Sequence, residues 1–108
     1  MSQEILNLNN LYFKAFITKD IELLKNLYSD EVVLIDWTGQ WYGIDSVLVA
    51  NENLFTIDYE LIVTETNIID NVTYNSIVIR FDDGPIDVLD VLYFDENNKI
   101  KKIRAYKG

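Results

Sequence analysis

The sequence has neither cysteine nor histidine. Without thiols it can form no disulfide and offer no thiolate nucleophile, and without imidazole it can hold no Ser-His-Asp relay or Cys/His zinc set. Acid–base chemistry therefore falls to Asp, Glu, Tyr and Lys, and no metal or cofactor is expected. Basic residues are scarce as well. Nine Lys and Arg face 18 Asp and Glu, a net charge of −9 at pH 7 and a pI near 4.2. A surface of that sign repels phosphate backbones and anionic lipid, so nucleic acid and membranes are not expected partners. The basic run from Lys99 to Lys107 is the local exception. Lys99, Lys101 and Lys102 flank a turn there and read as a solvated strand. No apolar run reaches the roughly 18 residues of a membrane span. Met1-Ser2-Gln3-Glu4 lacks the basic start and apolar stretch of a secretion signal, which makes the cytoplasm the expected compartment.

What the chain does contain suits one compact domain over residues 1–108. Hydrophobic residues make up 49% of it and aromatic residues 13%, enough for a core or a lined cavity. Ile5, Leu8, Leu11, Tyr12, Ala15 and Phe16 recur at helical spacing. Asp20 reads as the N-cap of a second helix carrying Ile21, Leu24, Leu27 and Tyr28, and only Thr18 and Lys19 join the two into a hairpin. A strand is predicted over Val32–Trp37, broken by Thr38-Gly39. Trp41-Tyr42-Gly43 then leads into a third helix from about Asp45 to Phe55. Four strands follow, roughly Tyr59–Asp70, Thr73–Phe81, Ile86–Phe94 and Ile100–Tyr106, with turn residues between them. The predicted order is α-α-β-α-β-β-β-β. Short turns pair consecutive strands antiparallel, and strands this long twist and coil. The expected architecture is α+β, a strongly curved antiparallel sheet with helices on its concave side and a conical cavity between. Leu89 and Val91 on the convex face point to burial against a second copy.

Three polar residues stand out as candidates for chemistry. Alternation in the strand Ile86–Phe94 puts Ile86, Val88, Asp90, Leu92 and Phe94 on one face, with the other face also mainly apolar. Asp90 thus lies mid-strand among apolar neighbours. Such a carboxyl is either a structural group bonded to a tyrosine or water, or a neutral acid that can donate a hydrogen bond. Asp36 ends the first strand, either as a turn residue or as a base shielded by Trp37. Tyr12 sits on the first helix's apolar stripe, where its ring packs and its hydroxyl needs a partner.

The order of elements resembles the nuclear transport factor 2-like (cone-fold) superfamily, with its SnoaL-like polyketide cyclases and ketosteroid isomerases. The resemblance runs through nearly the whole chain. It is most specific in Tyr12-Phe13-Lys14-Ala15-Phe16, Lys19-Asp20-Ile21, Leu27-Tyr28-Ser29-Asp30-Glu31-Val32 with Asp36, and in Asp90 through Lys99-Ile100 and Ile103-Arg104-Ala105. Likeness to ketosteroid isomerase implies Tyr12 as the oxyanion-hole tyrosine, Asp36 as general base and Asp90 as the protonated second donor. It implies proton abstraction next to a carbonyl of a small apolar substrate. Tyr28 matches a supporting tyrosine. Ile86, Val88, Leu92, Ile103 and Ala105, with Trp37, would line the substrate site. The sequence departs from the isomerase pattern in a shorter loop after Asp36, in Trp37 where a proline is usual, and in Asn51 where some members carry a third tyrosine. Arg80-Phe81-Asp82 is similar to the Arg-x-Asp pair of limonene epoxide hydrolase, but no third carboxylate has suitable spacing. A non-catalytic ligand-binding cone and a homodimerisation module are the alternative readings.

Overall fold

A computed structural model describes residues 2–108. Helix α1 (Ser2–Thr18) and helix α2 (Ile21–Leu27) form the expected hairpin. Lys19 turns the chain with a left-handed φ of 57°, and the Asp20 carboxylate caps α2 by accepting the Leu23 N–H at 3.0 Å. The buried stripe of α1 is Ile5, Asn9, Tyr12, Phe13 and Phe16, with Ala15 beside it. It runs at steps of four and three, as helical geometry requires. Leu11, expected on that stripe, is 37% exposed because its position in the turn points it away from the sheet.

The first strand, β1, spans Tyr28–Asp36, longer than predicted at its start and ending one residue earlier, so that Trp37 lies in the turn. The stretch read as a lead into a helix is in fact strand β2 (Gly39–Tyr42). It pairs antiparallel with β1, Asp36 opposite Gly39 and Leu34 opposite Trp41, around a two-residue turn of Trp37 and Thr38. Gly43 follows with a φ of 88°, a conformation that strains other residues, and opens helix α3 (Ile44–Phe55). A meander completes the chain: β3 (Glu60–Ile69), β4 (Val72–Phe81), β5 (Gly84–Phe94) and β6 (Ile100–Lys107).

All six strands form one sheet in the order β2-β1-β6-β5-β4-β3. The sheet is mixed. The turns make consecutive strands antiparallel, but β1 and β6 meet across the fold and run parallel. Ladder irregularities interrupt β1/β6, β3/β4 and β5/β6, and such bulges bend and further twist strands. The concave side holds a single core cluster from α1, α2, α3 and the inward residues of the strands. Within it, Asn9 and Asn75 bond side chain to side chain at 2.9 Å, and Asn9 accepts the Thr73 hydroxyl at 2.7 Å. These three side chains are fully buried and mutually satisfied, which fastens α1 to β4.

On the convex face Leu89 is 38% exposed, whereas Val91 is only 2% exposed within the single chain. Val91 therefore needs no second copy to cover it, flanked as it is on that face by Tyr74 and Arg104. Among the described residues no helix is long and apolar enough to cross a membrane.

Candidate functional site

Between the helices and the concave sheet lies a cavity of about 380 Å³. Its walls come from α1 (Tyr12, Phe13, Phe16), the β1–β2 hairpin (Asp36, Trp37, Trp41), α3, and the inward residues of β3 to β6. Tyr12, Asp36 and Asp90 all line it, although the sequence separates them by up to 78 positions. Trp37, Ile86, Val88, Ile103 and Ala105 line it too. Leu92 and Tyr28 do not. Leu92 is completely buried further along β5, in the core beneath the cavity. Tyr28 stands behind Tyr12, their ring centroids 6.5 Å apart.

Asp90 is held by the pairing of β5 between β4 and β6, with Asn75 and Ala105 as its cross-strand partners. The Asn75 side chain donates to the Asp90 backbone carbonyl at 3.1 Å, so the buried asparagine pins the strand where the acid sits. Asp90 is 7% exposed, and its carboxyl makes no hydrogen bond to any described residue. Burial, and secondarily the nearby Asp36 carboxylate, push its pKa up to about 7. Near neutrality it is therefore present in both forms, and its neutral form carries an O–H to donate.

Tyr12 is clamped by aromatic neighbours, edge-on to Phe13 at 5.1 Å and tilted against Phe16 at 4.8 Å. Burial first, then the charge of Asp90, raises its phenol well above the ordinary tyrosine value, keeping it a donor. Tyr28 packs behind it, and the Tyr28 hydroxyl donates to Asn51 Oδ1 at 2.6 Å. Burial raises the Tyr28 phenol too. Asn51 thus stands at the end of the tyrosine pair. The remaining phenol on the wall, Tyr59, is pushed up to about 12 by burial, and it spends its hydroxyl on the Phe16 carbonyl.

Asp36 has a second task. Its Oδ1 accepts the Thr38 N–H at 2.7 Å, the Thr38 hydroxyl at 2.6 Å and the Gly39 N–H at 3.2 Å, closing the β1–β2 turn. No hydrogen bond from a described residue reaches its Oδ2. Asp36 is thus a turn residue that also lines the cavity. Arg80 pairs at 3.4 Å with Glu60 on the exposed side of the sheet and takes no part in the cavity.

The sequence reading passed over Trp41, Phe16, Asn53, Ile57 and Tyr59, all of which line the site. Trp41 was within reach of strand logic, since a hairpin at Thr38 places it opposite Leu34 on the inner face. Ile57 and Tyr59 follow α3 in a segment without periodicity, so no pattern could have found them. Among the described residues no cluster of carboxylates could hold a metal ion.

The helices and the sheet enclose an apolar cavity that Tyr12, Asp36 and Asp90 line. The fold is that of the NTF2-like superfamily. A candidate ketosteroid isomerase from Kribbella flavida superposes with a TM-score of 0.90 at 15% identity, covering 98% of this chain and 78% of that one. A candidate polyketide cyclase from Sinorhizobium meliloti gives a TM-score of 0.85 at 15% identity, over 97% and 98% of the two chains. The epoxide hydrolase/cyclase-like enzyme SalBIII, of pyran ring formation in the polyether salinomycin, gives 0.88 at 11% identity, over 99% and 92%. At these identities the likeness is one of fold. No family model and no curated protein sequence matches the chain.

Proposed function

We propose that the chain is a ketosteroid isomerase-like enzyme that abstracts a proton next to the carbonyl of a small, apolar substrate. The observation that carries this reading is the convergence of Tyr12, Asp36 and Asp90 on one apolar cavity. The unbonded Oδ2 of Asp36 takes the proton from the carbon beside the carbonyl. The carbonyl oxygen, gaining negative charge, accepts hydrogen bonds from the Tyr12 hydroxyl and from protonated Asp90. Asp36 then returns the proton to another carbon of the dienolate, which completes an isomerisation without any net uptake of protons. The apolar walls around Phe16, Ile86 and Val88 exclude water and strengthen both hydrogen bonds.

The test is exchange and isomerisation of a 5-ene-3-ketosteroid followed by proton NMR in heavy water. Asp36→Asn should lose about 10²–10⁴-fold in rate, the usual share of a positioned base. A wild-type protein that binds the ketone but exchanges no proton refutes the reading. That result would favour the second one, a non-catalytic cone for a hydrophobic ligand, which the commitment of Asp36 Oδ1 to the turn supports. We also propose a homodimer through the convex face, where Ile62, Leu89 and Tyr106 are each more than a third exposed. Sedimentation equilibrium of the wild type against Leu89→Glu tests it.

A further inference from the structure

Among the described residues no fully buried side-chain nitrogen or oxygen lacks a hydrogen-bond partner. Asn9, Thr73 and Asn75 bond to one another, and Asn51 accepts from Tyr28. Asp90, 7% exposed, has no hydrogen-bond partner among the described residues, and its carboxyl faces the cavity. A carboxyl that bonds to no side chain and opens only on this cavity takes its partner from whatever enters there. Asp36 lines the same space, its Oδ2 without a hydrogen bond from the described residues, and lies close enough for its charge to oppose ionisation of Asp90.

The charge inventory decides what kind of partner fits. None of the described lining residues is Lys or Arg. Lys19, packed against the outer wall, has its Nζ on the Ile57 carbonyl at 2.9 Å and over the Tyr59 ring at 5.1 Å. An anionic ligand would meet two carboxyls, no cation, and a chain of net charge −9. A cation would meet those carboxyls in a wall that also holds Tyr12, Phe16 and Trp41, and aromatic rings attract ammonium groups.

We propose that the cavity is also a binding site for hydrophobic ammonium ions, the ammonium seated between Asp36 and Asp90 and the hydrocarbon body against the aromatic and aliphatic walls. This role does not depend on the enolisation chemistry above. It uses the same two carboxyls with Asp90 ionised rather than neutral.

The two roles respond to pH in opposite senses. The groups facing Asp90 are Tyr12 from α1, Tyr28 and Asp36 from β1, the neutral amide of Asn75 from β4, and Ala105 and Ile103 from β6. No cation is among them, so an entering ammonium is the group that favours the ionised form. With the carboxyl titrating at about 7, the ionised fraction rises about tenfold from pH 6 to pH 8, and ammonium affinity rises by up to that factor. A ligand held by the neutral acid tightens in the other direction.

Three probes built on one hydrocarbon cage separate charge from shape: 1-aminoadamantane, 1-adamantanol and adamantane-1-carboxylate. Calorimetric titration of the full chain at pH 6 and pH 8 should show the amine binding several-fold to about tenfold tighter at pH 8, with proton release seen as a buffer-dependent heat. At pH 8 the amine should bind tighter than the alcohol, and the carboxylate should not bind. Asp90→Asn, shown to be folded by near-ultraviolet circular dichroism, should lose the pH dependence of amine binding. No amine binding at pH 8, amine no tighter than alcohol, or a pH dependence that survives in Asp90→Asn each overturns the proposal. Proton exchange on the ketone is read separately, so a catalyst without amine affinity refutes this inference alone, and an amine binder without exchange refutes the enolisation alone.

Discussion

Replacing Asp90 with asparagine should stabilise the protein at alkaline pH and leave it nearly unchanged in acid. The carboxyl has an ordinary value of 3.8 and is pushed up to about 7 in the fold, first by burial and then by Asp36. Between those values the folded chain keeps a proton that the unfolded chain has released, so wild-type stability falls as pH rises. A difference of about 3 pKa units corresponds to about 4 kcal/mol, reached in full above pH 7 and absent below pH 4. Because Asp90 is only 7% exposed, solvent screening takes little from that figure. Against a typical domain stability of about 5–15 kcal/mol it is a large cost to carry, and carrying it is what keeps a proton donor available near neutrality. Asparagine is nearly the same shape and stays neutral, so it escapes the penalty. Urea unfolding of both proteins from pH 4 to pH 9 reads the difference directly. The stability gap should open by roughly 4 kcal/mol between pH 4 and pH 8. A gap that stays flat, or an Asp90 carbon resonance that titrates like a free carboxyl, refutes the neutral-donor role.

Asp36→Ala removes the acceptor of the Thr38 and Gly39 N–H groups and should cost about 1 kcal/mol in thermal unfolding, whereas Asp36→Asn keeps that acceptor and should cost less. The activity loss should be alike in both variants, which separates the turn from the chemistry. Asn9→Ala removes the acceptor of the buried Thr73 hydroxyl, while Asn75 keeps Thr66 and the Asp90 carbonyl as partners, and chemical denaturation should show a loss of about 1–3 kcal/mol. Leu92→Ala should cost about 2–5 kcal/mol for a core cavity. Because Leu92 is buried away from the cavity lining, ligand affinity should hold where the variant is still folded.

Much of the architecture could be read from residue pattern. The stripe from Ile5 to Phe16, the cap at Asp20 and the alternation from Ile86 to Phe94 each express a local rule, and local rules act between neighbours in the chain. The strand β2 escaped notice because it is only four residues long and its signal, Trp41 and Tyr42 between glycines, fits a loop as well as a hairpin. Asn9 was invisible for a different reason. An asparagine on a core stripe looks like an error until Thr73 and Asn75, 64 and 66 positions away, are seen to satisfy it.

By itself the sequence determined the element types apart from β2, the apolar faces and the exclusion of thiol and imidazole chemistry, since those follow from composition and short-range periodicity. Tertiary structure alone decided that β1 returns parallel beside β6, which brings Asp36 across the fold toward Asp90. It also decided that Leu92 and Tyr28 lie behind the cavity while Trp41 and Tyr59 line it. Strand alternation says only which face a residue takes. How deep it lies along a curved sheet, and which distant side chain meets it there, depends on curvature and closure, and those belong to the folded whole.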